Sequence, residues 1–489
     1  MDPFKLLTSG IKFDRNKFCD DLKRFKQNKL SSKSLASSID SIDSSSKFLT
    51  QKSDVFVNDV EQLRLDHQIL VDGDDISSPI TSFDDIDITE SLRCRIKQSD
   101  YQIPTAIQMQ TIPLMLADRS IIGCAPTGSG KTLAFILPLL IKLRAPSNQG
   151  FRAIVLTPTR ELAKQIHRET LWLSNGTGLR VHLIKNINLA KKKFSLESKL
   201  KYDILITTPK RLQFLLGIDS PLINIQSLEW LIVDECDRLF QTTFLEQLSS
   251  IVNQCHRYTQ NQLKLGLFSA TYDRNLHHWC ESNLNHLATI IIGERNKIVE
   301  TIDQKLIFTG TESGKLFALK EIINRGCQTP ALIFVNSVRK ANYLQMELER
   351  MNLCADTIHS GRNQEFRDRI VRRFREGQIL FLVCTELMSR GIDFKAVNLV
   401  INYDLPSTTV AYIHHIGRTG RAGRNGTSIT FYTSTDEKRI FPFLKIMRQS
   451  GCQIPEHLSE LNENLLKSYE KMERRNDFKN RKKRMKKYQ

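Results

Sequence analysis

No stretch of this 489-residue chain approaches the roughly 18 to 20 uninterrupted apolar residues that a membrane-spanning helix needs. The opening MDPFKLLTSG also lacks the apolar run of a signal peptide, so a soluble, intracellular protein is expected, with no membrane partner. Paired cysteines are missing too. Ten are scattered at positions 19, 94, 124, 236, 255, 280, 327, 354, 384 and 452 without a Cys-x-x-Cys, which argues against a disulfide framework or a zinc ribbon. Negative charge is scarce: 71 Lys plus Arg stand against 53 Asp plus Glu, a net charge of +18. That excess points to a polyanionic partner. What is present, 40% hydrophobic residues including 8% aromatics, suffices for folded cores and excludes a wholly disordered chain. The length predicts two or three domains.

Residues 31–46, SSKSLASSIDSIDSSS, hold nine serines in sixteen positions and cannot bury enough apolar surface to fold. From Lys479 to Gln489 there are seven Lys or Arg and no acid, a self-repelling tail. Between these ends, short apolar runs alternate with longer helical patterns, the signature of parallel α/β sheets with crossover helices. One series of expected strands comprises 120–124, 153–157, 181–184, 204–207, 230–233 and 265–268. A second comprises 305–308, 332–335, 357–358, 380–384, 399–402 and 428–432. Runs such as ILFLVC suit strands buried on both faces. The expected layout is an N-terminal extension over 1–78, largely disordered, α/β domains over 79–295 and 296–460, and a basic tail over 461–489.

After the first strand comes Ala125-Pro126-Thr127-Gly128-Ser129-Gly130-Lys131-Thr132, a P-loop pattern with Ala125 where its first glycine usually lies. A glycine-containing turn lets backbone N–H groups and a helix N-terminus surround phosphate oxygens, while Lys131 adds charge and Thr132 offers a hydroxyl to Mg²⁺. The competing reading is an ordinary glycine-rich βα turn. Further on, the apolar strand Leu231-Ile232-Val233 ends in Asp234-Glu235-Cys236-Asp237. Three carboxylates within four residues suit a shared cation, so Asp234 can orient Mg²⁺ and Glu235 can position or deprotonate water. The two motifs together indicate a nucleoside triphosphatase. Cys236 beside these acids reads as a small residue in a tight turn, and the adjacent His414 and His415 cannot easily share one ion.

Asp-Glu-Cys-Asp resembles a variant signature of the DEAD-box RNA helicases, and the remaining motifs agree in order. Phe83 lies seventeen residues before Asp100, and Asp100 to Gln108 (DYQIPTAIQ) resembles the family's Q motif. Then follow Pro158-Thr159-Arg160-Glu161-Leu162, Thr208-Pro209-Lys210-Arg211, Ser269-Ala270-Thr271, Leu332 to Ser337, Thr385 to Asp393, and His414 to Arg421. The match spans about residues 80–440. It implies two tandem RecA-like domains facing each other across a cleft, with ATP and Mg²⁺ held mainly by the first. Gln108 would read the adenine edge, Phe83 pack on the base, and Asp393 lie near the ribose. Arg418 and Arg421 would reach the γ-phosphate as arginine fingers; independently of the resemblance, GRTGRAGR is an arginine cluster suited to bidentate phosphate contacts. Ser269, Thr271 and Asp237 would couple the acidic strand end to the domain interface. Pro158, Thr159, Arg160, Thr208, Lys210, Arg211, Arg367 and Thr385 would contact RNA backbone, with little sequence selectivity. The implied activity is RNA-dependent hydrolysis of ATP with local, non-processive unwinding by a monomer.

Several residues depart from the common family form: Lys210, Ser360, Glu386 and His415, and Lys185 to Lys193 (KNINLAKKK) occupies the place of a double-glycine RNA contact. Thr208 to Arg211, Ile358-His359-Ser360 and Gly391 to Asp404 resemble the branch acting in small-subunit ribosome biogenesis. That implies pre-rRNA and ribosome-assembly proteins as partners and a nuclear, nucleolar location. The tail's Lys482 to Lys487 suits such import and rRNA affinity. Two alternatives stay open at this point, an ATP-binding but non-hydrolysing RNA clamp or assembly scaffold, and a DNA-directed relative.

Overall fold

The computed structural model of the protein describes residues 59–99, 101–194, 202–217, 221–239, 242–259, 263–272, 274–284, 286–293, 302–386, 394, 397–420, 424–452, 454 and 458. The serine-rich segment 31–46, the tail 461–489, Asp100, Asp393 and Arg421 lie outside the described residues. Eight strands form the first sheet: β1 (Ile69–Asp72), β2 (Ile121–Cys124), β3 (Ala153–Leu156), β4 (Val181–Leu183), β5 (Ile204–Thr207), β6 (Trp230–Val233), β7 (Lys264–Ser269) and β8 (Ala288–Ile292). Six form the second: β9 (Ile302–Phe308), β10 (Ala331–Val335), β11 (Ala355–Ile358), β12 (Phe381–Thr385), β13 (Leu399–Asn402) and β14 (Gly426–Tyr432). Every residue of β2, β3, β5 and β6 is buried, as strands with helices on both faces must be.

The first sheet runs β1-β8-β2-β7-β6-β3-β5-β4 and the second β11-β12-β10-β13-β14-β9. All pairings are parallel except β1, which lies antiparallel on β8 with Ile69 opposite Ile292 and Asp72 opposite Thr289. This strand corrects the expected extension over 1–78, because chain from residue 59 is already folded. The C-terminal ends of β2, β7 and β6 are neighbours. That order brings the loops after Cys124, Ser269 and Val233 to one place, the side of an α/β sheet on which ligands bind.

The helix Lys131–Leu143 is apolar nearly throughout, KTLAFILPLLIKL, and buries Leu133 to Leu140 in the first core. Each large aliphatic side chain so buried contributes about 1.5–3 kcal/mol. The helix Arg160–Leu173 is one-sided: Leu162, Ala163, Ile166, Thr170 and Leu173 are buried, and the Thr159 side chain caps it by accepting from Leu162 N–H. Lys185 to Lys193 is built as the end of a strand connection followed by the short helix Ile187–Lys193, with the Asn186 side chain as its cap. In the second domain, Lys315 is 2% exposed and pairs with Asp404 at 3.0 Å, and Lys340 reaches the same carboxylate oxygen at 2.7 Å. The nine described cysteines are free thiols. Among the described residues no helix is long and apolar enough to cross a membrane.

Candidate functional site

The loop after β2 turns through two glycines with φ of +81° at Gly128 and +89° at Gly130. A side chain at Gly130 would be strained by that φ, and its Cβ would fall 2.4 Å from the Gln108 amide nitrogen. Gln108 is 1% exposed. Its amide donates to Gly130 O at 3.0 Å and accepts from Thr105 N–H at 3.0 Å, so both ends brace the loop in this conformation. Thr105 adds a hydrogen bond to Ser129 O at 2.8 Å. Phe83 is 5% exposed within the first core. Tyr101, Trp172 and Phe394 line the cleft instead, and the Tyr101 hydroxyl donates to Glu169 at 3.1 Å.

Lys131 folds back on its own loop, donating to Ala125 O at 2.6 Å and Pro126 O at 2.8 Å. Burial holds its ammonium below its ordinary value, with Asp234 the first of the carboxylates that oppose the shift. The Ser129 hydroxyl is sheltered and has no hydrogen-bond partner among the described residues. Together with the open glycine turn and the helix N-terminus, that orphan donor fits a phosphate chain.

At the end of β6, Asp234 is buried, and burial followed by Glu235 pushes its carboxyl up to about 7, with Lys131 opposing. The protein supplies too little positive charge here, which fits a divalent cation shared with phosphate. Among the described residues no group of three or more His, Cys, Asp or Glu is arranged to hold a metal unaided. Glu235 sits at φ +50°, a left-handed conformation unusual for a non-glycine residue and a mark of strain at functional sites. Burial raises the neighbouring Cys236 thiol well above its ordinary value and leaves it unreactive.

Asp237 joins three segments. Its Oδ2 accepts from Thr271 Oγ1 at 3.0 Å and from His414 Nε2 of the second domain at 2.7 Å. A carboxylate can only accept, so Nε2 carries the proton. Ser269 fixes Thr271 locally, its hydroxyl donating to Thr271 O at 2.7 Å and accepting from Thr271 N–H at 3.0 Å. Beside this bridge, Arg418 Nη2 lies 3.8 Å from Glu235 Oε1, and Thr127 Oγ1 donates to Gly417 O at 3.2 Å. A Cβ at Gly417 would come within 2.2 Å of that Thr127 oxygen, so only glycine allows the approach. The cleft of ≈ 670 Å³ is lined from one side by Lys131, Thr132, Asp234 and Glu235 and from the other by Arg418 and Arg424.

His415 turns the other way. It is 2% exposed, stacks on Phe334 at 3.9 Å, and its Nδ1 is 2.8 Å from Asn402 Oδ1, all within the second domain. The departure from arginine at this position therefore lies in a core and not in the cleft.

The segments expected to meet RNA lie at the other end of the domain interface. Arg160 and Lys210 are exposed. Arg211 donates to Lys185 O at 2.8 Å. Thr159 is spent as the helix cap, while Pro158 and Thr208 hold the turns after β3 and β5. Thr385, at the end of β12, is 7% exposed, and its hydroxyl has no partner among the described residues. Arg367 is drawn into the interface: its Nε lies 3.4 Å from Glu161 of the first domain, to which Gln364 also donates at 2.8 Å. A further inter-domain ion pair joins Lys164 to Asp368. Sequence reasoning missed Tyr101 as a cleft residue and the partners Glu161, Lys164 and Asp368, for which no local signal exists.

The chain matches the family model described as DEAD/DEAH box helicase over residues 105–279 and that of the helicase conserved C-terminal domain over 314–423. Probable ATP-dependent RNA helicase DDX52 of Mus musculus is 45% identical over 420 residues, spanning 84% of this chain and 70% of that protein. ATP-dependent RNA helicase ROK1 of Kluyveromyces lactis is 38% identical over 416 residues, 83% of this chain and 71% of that protein. Among solved structures, S. cerevisiae Dbp5 bound to RNA and ADP BeF3 superposes with a TM-score of 0.67 at 28% identity, covering 77% of this chain and 95% of that one.

Proposed function

Because the chain belongs to the DEAD-box family of ATP-dependent RNA helicases, we propose that it couples ATP hydrolysis to remodelling of pre-rRNA in small-subunit ribosome assembly, through the residues that meet in its inter-domain cleft. The enzyme is an RNA-dependent ATPase with two RecA-like domains. The geometry above supports the roles of its described residues, and the family motifs support those of Asp393 and Arg421.

Residues Ala125 to Thr132 wrap the phosphates, and Lys131 exchanges its two loop carbonyls for phosphate oxygens. Gln108 exchanges its bond to Gly130 for the adenine edge, with Tyr101 flanking the base and Phe83 supporting it from the core. Thr132 and Asp234 would hold Mg²⁺ together with phosphate, and the ion would supply neutralisation of charge on the transferred group. Glu235 aligns the attacking water, and water's oxygen replaces the β–γ bridging oxygen on phosphorus to yield ADP and phosphate. Arg418 reaches the γ-phosphate from the second domain with Arg421, an arginine-finger contribution of about 10³–10⁵ in rate. Asp393 serves the ribose. Ser269, Thr271 and Asp237 report the state of this centre to His414.

The observation that carries the reading is the Asp237 carboxylate, which takes hydrogen bonds at once from the first domain's Thr271 and the second domain's His414. It can form only while the domains meet. RNA held by Pro158, Thr159, Arg160, Thr208, Lys210, Arg211 and Thr385, with Arg367 at the interface, favours that arrangement by binding it better than the separated one. Hydrolysis removes the phosphate contacts and releases the strand.

The pre-rRNA target, ribosome-assembly partners and nucleolar location draw support from the motif variants at Thr208 to Arg211 and Ile358 to Ser360 and from the basic tail. Crosslinking Glu235→Gln protein to RNA in cells tests this. Enrichment of small-subunit precursor RNA is expected, and a profile matching bulk mRNA overturns it. The non-hydrolysing clamp, prompted by His415, Ser360 and the missing glycine pair, has no support, and His415 is buried away from the cleft.

A further inference from the structure

The helix Thr409–Ile416 sends its adjacent histidines in different directions. His414 reaches Asp237 across the cleft, and Arg418, one turn on, lies beside Glu235, whereas His415 turns down onto the second sheet. A helix lying on a sheet ordinarily buries an apolar stripe against apolar strands. The face under His415 is polar instead. In the register of β9, β14 and β13, Gln304 stands opposite Ser428 and Thr430 opposite Asn402. Residues two apart along a strand share a face, so these four side chains form one strip beneath the helix, each 5% exposed or less.

Hydrogen bonds run through the strip from the helix and back to it. The Asn402 amide donates to Thr430 Oγ1 at 3.0 Å, which leaves its oxygen to accept from His415 Nδ1 at 2.8 Å. The Thr430 hydroxyl bonds the Tyr412 oxygen, and Tyr412 donates to Gln304 Oε1 at 2.7 Å. His415 and Tyr412 are three residues apart, neighbours on one face of the helix, so the chain of bonds enters the sheet through one and returns through the other. Phe334 covers the imidazole by stacking at 3.9 Å. Beyond Arg418, Thr419 pins the next turn by donating to Val397 O at 2.7 Å. Such a layer is costly, since Ser428 Oγ and Gln304 Nε2 are buried with no partner among the described residues. Apolar side chains would hold the helix down more cheaply, but they tolerate a slide or a roll that would break every one of these bonds.

We propose that His415 is a positioning residue for ATP hydrolysis: through Asn402 it fixes the rotation of the helix Thr409–Ile416, and so where Arg418 meets the γ-phosphate and His414 meets Asp237. The inference rests on the nucleotide reading above and deepens it. His415 touches neither nucleotide nor RNA and acts through the two residues it orients. The departure from arginine at this position thereby supplies a shorter link, matched to the Asn402 oxygen.

The test uses full-length protein and three variants, His415→Leu, His415→Asn and the double variant His415→Leu/Asn402→Leu. RNA-stimulated ATP hydrolysis, binding of a fluorescent ATP analogue without RNA, and thermal unfolding are measured for each. Misplacing a reacting group by about 1 Å costs on the order of 100-fold in rate, so His415→Leu should lower RNA-stimulated kcat about 10- to 100-fold while nucleotide affinity stays within about twofold. His415→Asn, whose amide nitrogen takes the place of Nδ1, should recover most of the rate. The double variant removes both partners of the link and leaves no orphan between them, so its melting temperature should return towards wild type while kcat stays low. A layer that merely supports the fold gives the opposite, kcat rising together with thermal stability in the double variant, and that result overturns the proposal. Wild-type kcat in a folded His415→Leu overturns it as well. If His415→Leu does not fold, His415→Asn and the double variant decide. Wild type without RNA-stimulated turnover would instead sink the nucleotide reading itself.

Discussion

Replacing His414 by alanine removes a bond that exists only between the domains. In the intact protein His414 Nε2 is 2.7 Å from Asp237 Oδ2, and the two side chains are 0% and 2% exposed. A hydrogen bond to a charged group in such shelter is worth about 1.5–3 kcal/mol, far more than an exposed ion pair. At about 1.4 kcal/mol per tenfold, the joined arrangement should become some 10- to 100-fold less populated. The substituted side chain lies opposite the P-loop, so nucleotide affinity of the RNA-free enzyme should change little. The assay is steady-state ATP hydrolysis with and without saturating RNA, beside direct binding of a fluorescent ATP analogue. The expected result is loss of RNA stimulation with retained nucleotide binding, and partial rescue by His414→Gln, whose amide can still donate. RNA stimulation within about twofold of wild type in His414→Ala refutes the argument that this bridge couples the sites.

Asp404→Asn should destabilise the second domain by about 3 kcal/mol in urea denaturation, because it removes the buried partner of Lys315 and a bond to Lys340. The same carboxylate has a pH signature. Burial raises its pKa, but Lys340, the Asn336 N–H and Lys315 outweigh that and hold it below the usual carboxylate range. Its stabilisation is thus complete above about pH 4 and is lost as pH falls through the lower folded value, so Asp404→Asn should flatten the acid limb of the stability profile. Gly130→Ala forces a side chain into φ +89° and against Gln108. At about 1–3 kcal/mol of strain, nucleotide affinity by calorimetry should fall about tenfold or more. Asp368→Lys should lower RNA-stimulated turnover by at most about fivefold, since the Lys164 pair is roughly one-third exposed. Combining it with Lys164→Asp should restore the rate, and failure of the swap to do so would count against the pair.

Strands covered on both faces were legible because apolar residues fill all or nearly all of each: Ile204–Thr207, Trp230–Val233 and Leu399–Asn402 begin and end where the sequence placed them. Edges were harder. β9 starts at Ile302 rather than at 305, because IDQKLIF alternates buried and exposed residues, as a strand at the rim of a sheet does. β1 was missed because four residues, ILVD, between polar segments carry too little pattern. The phosphate loop and acidic strand end could be read from spacing alone, since each is contiguous. The contacts that join the domains could not: His414 and Asp237 are 177 residues apart, Gln364 and Glu161 203, and Lys164 and Asp368 204. Spacing also placed Phe83 near the Q motif without revealing that its ring is buried.

ATP hydrolysis by purified protein with and without total rRNA, with Lys131→Ala and Glu235→Gln alongside, tests the central claim most directly. Turnover stimulated by RNA in wild type and abolished in both variants is the expected result. Undiminished RNA-stimulated turnover in either variant would contradict it.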